Sequence, residues 1–167
     1  MYKQHLLNNI EKEMKICRRL YTKIPASQMH FRPMDGVRSI LELLQYLTII
    51  GELMPAYWVQ NKDADFEKFF ASRISISKKL EPENFLSAMD EQIKRIHQLF
   101  DQIHEEDLHQ KEAKYPWAGS LPLGEAITDT SIKWLSAYKL QLFYLIKLSG
   151  NQHLATPDAW TLTELDQ

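Results

Sequence analysis

Four long stretches of this chain repeat apolar residues three and four apart, and that 3.6-residue period constrains the fold more than any other feature. The first runs from about Tyr2 to Lys23, with Leu6, Ile10, Met14, Cys17 and Leu20 on one stripe. Pro25 lies just past its end, where proline cannot continue a helix. The second begins near Ser39, which forms a capping-box pattern with Glu42 three residues on. Ile40, Leu43, Leu44, Leu47, Ile50 and Leu53 then give a broad apolar face. Pro55 falls inside this pattern, and its ring would clash with the carbonyl of Gly51. Tyr57 and Trp58 continue the face, so the pattern predicts a kink and not an end.

Residues 60–81 are polar and mixed, too long for a tight helix hairpin. They read as a crossover with a short helix at Phe66–Phe70. The alternating run from Arg73 to Ser77 could suit a strand, but a lone strand has no partner. The third helix is predicted from Pro82-Glu83 to about Ile103, through Leu86, Met89, Ile93, Ile96 and Phe100. A loop follows to Ser120. The fourth helix starts near Pro122 and ends at Gly150, a natural residue to follow a helix. Residues 151–167 are a polar tail expected to pack on the same domain, with Trp160 docked on its body. Wide apolar faces must be buried against one another, so 1–150 is predicted to be one all-α, four-helix bundle. The long second connection permits the second and third helices to run parallel.

Composition adds exclusions. Basic and acidic residues are interspersed at a net charge of -2, which leaves neither a nucleic-acid footprint nor a patch for an anionic membrane. The single cysteine, Cys17, cannot form an intramolecular disulfide and reads as a small buried hydrophobe. The first residues have no apolar core of a signal peptide, and no run approaches the ~18 apolar residues of a membrane span. Those readings make the cytoplasm the expected location.

Two stretches carry a recognisable pattern. One is IPASQMHFRPMDGVRSILELLQYL, residues 24–47, and the other is GEAITDTSIKWLSAYKLQLFYLIKLSG, residues 124–150. Together they resemble the DinB/YfiT-like superfamily, with Arg32-Pro33, Gly36, Ser39, Leu43-Leu44, Gln141 and Gly150 matching as they stand. The resemblance implies an up-down-down-up bundle with a long crossover between helices 2 and 3, often dimeric. It also implies a divalent metal held by one histidine on helix 2 and two histidines, four apart, on helix 4. Family activities include thiol S-transfer, thiol-dependent isomerisation and presumed hydrolysis. In this chain the three histidine positions fall on Tyr46, Trp134 and Tyr138.

Those substitutions change the chemistry. Residues 134 and 138 still share a helix face. An indole N–H only donates and offers no lone pair to a cation. A phenol ligates only as phenolate, and losing its proton at pH 7 costs about 4 kcal/mol from a pKa near 10. A zinc- or nickel-type site of three nitrogens cannot form from these residues. The three rings read as packed core, or as an aromatic-walled pocket for a flat or apolar ligand, or as neighbours of a repositioned metal.

His30 in the first loop, Glu52 beside the predicted kink and Asp129 one turn before Trp134 are candidate rim residues. The two acids could do acid–base work, or pair blandly with Lys133 or Arg38. Glu42 is accounted for by capping. His97 and His104 lie seven apart and are expected on one face of the third helix. His104 to His109 nearly forms HExxH, but the second histidine comes five residues on, about 140° round a helix. That run reads as a solvated tip.

The leading expectation is therefore a DinB-like bundle without the family's metal or any other cofactor. It would serve as a small-molecule-binding or structural module. Alternatives are a thiol transferase or hydrolase that uses a metal bound elsewhere or none, and a protein that acts by forming a homodimer.

Overall fold

The computed structural model describes residues 2–162. Helix α1 (Tyr2–Tyr21) buries Leu6, Leu7, Ile10, Met14, Cys17 and Leu20, as its apolar stripe predicts. Helix α2 (Ile40–Ile50) starts at a complete capping box. The Glu42 amide donates to the Ser39 hydroxyl at 3.2 Å, and the Ser39 amide donates to the Glu42 carboxylate at 2.8 Å. Arg32 closes the same corner through its ion pair with Glu42 at 2.8 Å.

The second helix is interrupted, not merely kinked. α2 stops at Ile50, and after Gly51 and Glu52 a separate helix α3 (Leu53–Gln60) begins, with Pro55 in its first turn. Proline has no N–H, so position 55 cannot donate to the Gly51 carbonyl. The gap is filled from outside. The fully buried amide of Gln92 accepts from the Gly51 N–H at 2.9 Å and donates to the Leu47 carbonyl at 2.9 Å. A side chain thus stands where the helix's own bond from residue 51 to residue 47 would run, one of the recognised causes of a sharp bend.

The crossover carries helix α4 (Phe66–Ser77), capped by the Asp65 carboxylate accepting from the Lys68 amide at 3.0 Å. It extends well beyond Phe66–Phe70, and the Arg73–Ser77 alternation lies inside it. Ser77 is buried while Ile76 is exposed, and helical geometry, not pleating, separates them. A 3-10 turn at Pro82–Asn84 precedes helix α5 (Phe85–Asp101). His104 lies beyond the end of α5, so it shares no helix face with His97.

The segment read as a loop contains structure. Helix α6 (Asp107–Gln110) is one turn long, and strands β1 (Glu112–Lys114) and β2 (Ser120–Pro122) pair antiparallel with Ala113 opposite Leu121. The His104–His109 run is not wholly solvated: Leu108 is buried and the His109 ring stacks on Tyr2 at 5.4 Å. The fourth bundle helix is composite: α7 (Leu123–Ile127), a π-helical turn at Thr128–Ile132, and α8 (Lys133–Leu148). Gly150 follows at φ 119°, a left-handed conformation that suits glycine. Helix α9 (Thr156–Trp160) folds back on the bundle. Arg19 donates to the carbonyls of Asp158 and Thr161, and Ala159 is fully buried. Residues 163–167 of the tail lie outside the described residues.

Contacts along the helices give their directions. Arg18 pairs with Asp90 and Lys3 with the Ile103 carbonyl, so α1 and α5 are antiparallel. Tyr2 abuts Gly124, and Asn151 donates to the Lys23 carbonyl, so α1 and α8 run the same way. Gln45 reaches the Leu80 carbonyl before α5, and Glu52 meets Arg95 further along, so α2 and α5 are parallel. The result is the up-down-down-up bundle that the resemblance implies. Its core runs through Ile10, Met14, Leu43, Leu47, Phe85, Met89, Phe100 and Leu142. Among the described residues, no helix is long and apolar enough to cross a membrane.

Candidate functional site

Tyr46 on α2 and Tyr138 on α8 come together, with ring centroids 5.0 Å apart and planes at 84°. The sequence places them on facing helices, and the bundle makes the rings touch edge to face, a favourable arrangement for two quadrupoles. The Arg38 guanidinium, one residue before the helix cap, lies 4.4 Å from the Tyr46 ring centroid and 5.4 Å from that of Tyr138. Burial, and then the neighbouring Tyr138, pushes the Tyr46 phenol up to about 12.

Trp134 is also half-buried but faces a different set of rings. Its centroid is 6.2 Å from that of Trp117, which stacks on Tyr115 at 5.1 Å, and Tyr115 meets Trp58 edge-on at 5.6 Å. The β1–β2 hairpin therefore brings an aromatic wall to the side of the bundle. Trp58 anchors it by donating its indole N–H to the Lys114 carbonyl at 2.8 Å. Phe66 of α4 touches Trp117 at 6.3 Å, so the wall spans crossover and hairpin.

The three candidate rim residues do not converge. His30 is exposed in the loop before α2. Asp129 sits in the π-helical turn, ion-paired to Lys133 and accepting from the Tyr115 hydroxyl at 3.2 Å. The Lys133 bond foremost holds its carboxyl below the usual range. Glu52 is buried at 3% exposure, ion-paired to Arg73 and, at 2.8 Å, to Arg95. Arg38, expected as a partner for an acid, instead lies against two phenols.

A cleft of about 440 Å³ opens beside Tyr46, lined by Arg32, Arg38, Glu42, Phe70, Ile74 and Lys78 among others. Arg32 and Glu42 neutralise each other. Among the described residues, Arg38 and Lys78 have no carboxylate within ion-pair reach, so the cleft carries a positive excess. Reading by residue type placed Arg38 only as a partner for an acid and not beside Tyr46, because an arginine before a helix cap is unremarkable until the helices close. It missed Phe70 and Lys78 because nothing local ties the crossover to α2.

The residues at the three family positions do not suit the implied metal. Tyr46 keeps its proton far above neutral pH, Trp134 offers no lone pair, and a guanidinium already lies against two of the three rings. Among the described residues, no three His, Cys, Asp or Glu side chains cluster as a metal cage requires.

The DinB superfamily pattern matches residues 10–128, more than two-thirds of the chain. No curated protein and no solved structure matches the chain significantly. The matched segment runs from within α1 to the end of α7 and includes Tyr46, but it ends before Trp134 and Tyr138. The placement of those two as counterparts of family ligands is what the resemblance of residues 124–150, with Gln141 and Gly150 in register, implies. On this match and the connectivity of the bundle, the chain belongs to the DinB superfamily.

Proposed function

We propose that this protein is a DinB-like bundle that works without the family's metal, as a binding module for a small organic anion with a flat apolar body. The observation that carries the reading is the Arg38 guanidinium, held 4.4 Å from the Tyr46 ring and 5.4 Å from the Tyr138 ring. A fixed organic cation stands beside two of the positions that match family ligands. It supplies positive charge without coordination chemistry. Its planar N–H donors suit a carboxylate, and among the described residues no carboxylate already pairs with them. Tyr46 and Phe70 give the cleft aromatic wall, Ile74 adds apolar surface, and Lys78 adds a second cation at the rim. A volume of about 440 Å³ falls in the range of small-molecule sites.

The test compares benzoate with benzamide, which has the same ring and no charge. Benzoate should raise the melting temperature and shift the Arg38 and Tyr46 NMR signals saturably, and benzamide should not. Arg38→Gln should abolish the effect while leaving the unliganded melt nearly unchanged, since Arg38 is exposed. Equal effects of benzoate and benzamide, or binding untouched in Arg38→Gln, would refute the anion reading. Stoichiometric zinc or nickel in untagged protein, lost in Tyr46→Ala/Tyr138→Ala, would refute the metal-free reading.

A further inference from the structure

Glu52 presents an imbalance of charge. One buried carboxylate faces two guanidiniums, Arg73 from α4 and Arg95 from α5. Both bonds of Arg95 to Glu52 leave from Nε, so its terminal nitrogens point elsewhere. Arg73 uses a terminal nitrogen, and its buried Nε–H has no acceptor. A buried donor without an acceptor loses its hydration with nothing in return, so such groups usually have a reason to remain. Burial lowers both guanidiniums from their usual range, and Arg95 adds to the effect on Arg73.

Two clefts meet at this pair. The larger, about 390 Å³, is lined by Arg73, Arg95, Lys79, Asn84 and Glu91 with an apolar flank that includes Ile76 and Leu80. The smaller, about 210 Å³, reaches the same two arginines from the other side. Glu91 is tied to Lys94 at 2.6 Å, and among the described residues Lys79 has no acidic partner. Arg73 and Arg95 against Glu52 leave one positive charge, and Lys79 adds a second. A structural ion pair needs one guanidinium; the second guanidinium and the lysine sit at an open cleft.

We propose that the cleft over Arg73 and Arg95 binds a phosphoryl dianion, a phosphate monoester whose carbon body lies along Ile76 and Leu80. Two positive charges match a dianion, and the planar donor edges of two arginines suit phosphate oxygens. The site neighbours the cleft beside Tyr46 across Ser77 of α4, but its charged residues are different and it does not depend on that cleft.

The experiment titrates the full chain with inorganic phosphate, phenyl phosphate and chloride at matched ionic strength, following the arginine Nε–H signals by NMR. Both phosphates should shift the Arg73 and Arg95 signals saturably, with a dissociation constant below about 1 mM. Chloride should not. Tighter binding of phenyl phosphate identifies an ester as the ligand, and equal affinity identifies free phosphate. Lys79→Gln, an exposed change that leaves the ion pairs intact, should weaken binding roughly tenfold, and Arg95→Gln should weaken it more. Arg38→Gln should leave it unchanged, which separates this site from the one proposed above. No saturable shift with either phosphate, or affinity unaltered in Lys79→Gln, overturns the proposal.

Discussion

Replacing Gln92 by methionine tests how the broken second helix is held. Gln92 is fully buried and bridges the break with two bonds, one from the Gly51 N–H and one to the Leu47 carbonyl, each at 2.9 Å. Methionine has nearly the same length and volume, so Gln92→Met leaves no cavity and removes only the bridge. The Leu47 carbonyl then loses the amide, and the Gly51 N–H is left with only the Ile49 carbonyl, in a fully buried site. At about 1–3 kcal/mol for each deprived group, less the gain from no longer burying an amide, the net loss is about 3 kcal/mol. For a chain of this size, at about 3 °C per kcal/mol, the melting temperature should fall about 9 °C. Urea denaturation should give the same free energy with an unchanged m-value. One escape exists: the helix could close and let Gly51 donate directly to Leu47. Pro55 opposes it, and so does Glu52, pinned by Arg73 and Arg95 immediately after Gly51. A drop under about 2 °C for Gln92→Met would show that the helix straightens freely and would refute the account of a pinned break.

Three further outcomes are expected. Glu52→Gln strands two guanidiniums around a neutral amide and should cost about 3 kcal/mol, measured by urea denaturation; a change under about 1 kcal/mol would mean that the pair contributes nothing net. The Glu42 carboxyl lies below its ordinary value of 4.5, chiefly through the Ser39 amide and then Arg32. The folded state therefore holds that proton less tightly than the unfolded chain. The stability that Glu42 contributes is complete above its ordinary pKa and is lost as pH falls through the lower folded value. Melting between pH 6 and pH 3 should show a smaller decline for Glu42→Gln than for the parent protein; equal declines would contradict the assignment. The Cys17 thiol is fully buried, and burial first and Glu13 second push it up to about 12. Ellman's reagent at pH 8 should leave the native protein untouched and titrate one thiol after unfolding, and fast native labelling would show that the core opens.

Much of the architecture was legible locally. The α1 stripe, the Ser39–Glu42 capping box and the proline after α1 are short-range signals, because a helix is specified by neighbours within about four residues. The crossover and the hairpin were read poorly for the complementary reason. α4 buries little of its own surface, so its apolar period is faint, and the alternating run from Arg73 to Ser77 mimicked a strand. The π-helical turn at Thr128–Ile132 also gave no signal, since its extra residue is absorbed by backbone hydrogen bonds and not by a distinctive side chain.

The candidate site divides in the same way. That Tyr46, Trp134 and Tyr138 carry an indole and two phenols, and no imidazole, is a property of residue types, and the sequence determined it without help. Pairwise geometry is not. Tyr46 meets Tyr138 across 92 positions of chain, Arg38 reaches both, Glu52 collects arginines from two other helices, and Gln92 mends a break in α2. Each is a contact between elements far apart in sequence, and such contacts exist only once burial of the apolar faces has fixed which helices touch and in which direction. Local periodicity set what the helices bury, and tertiary packing decided which charges and rings were left facing one another.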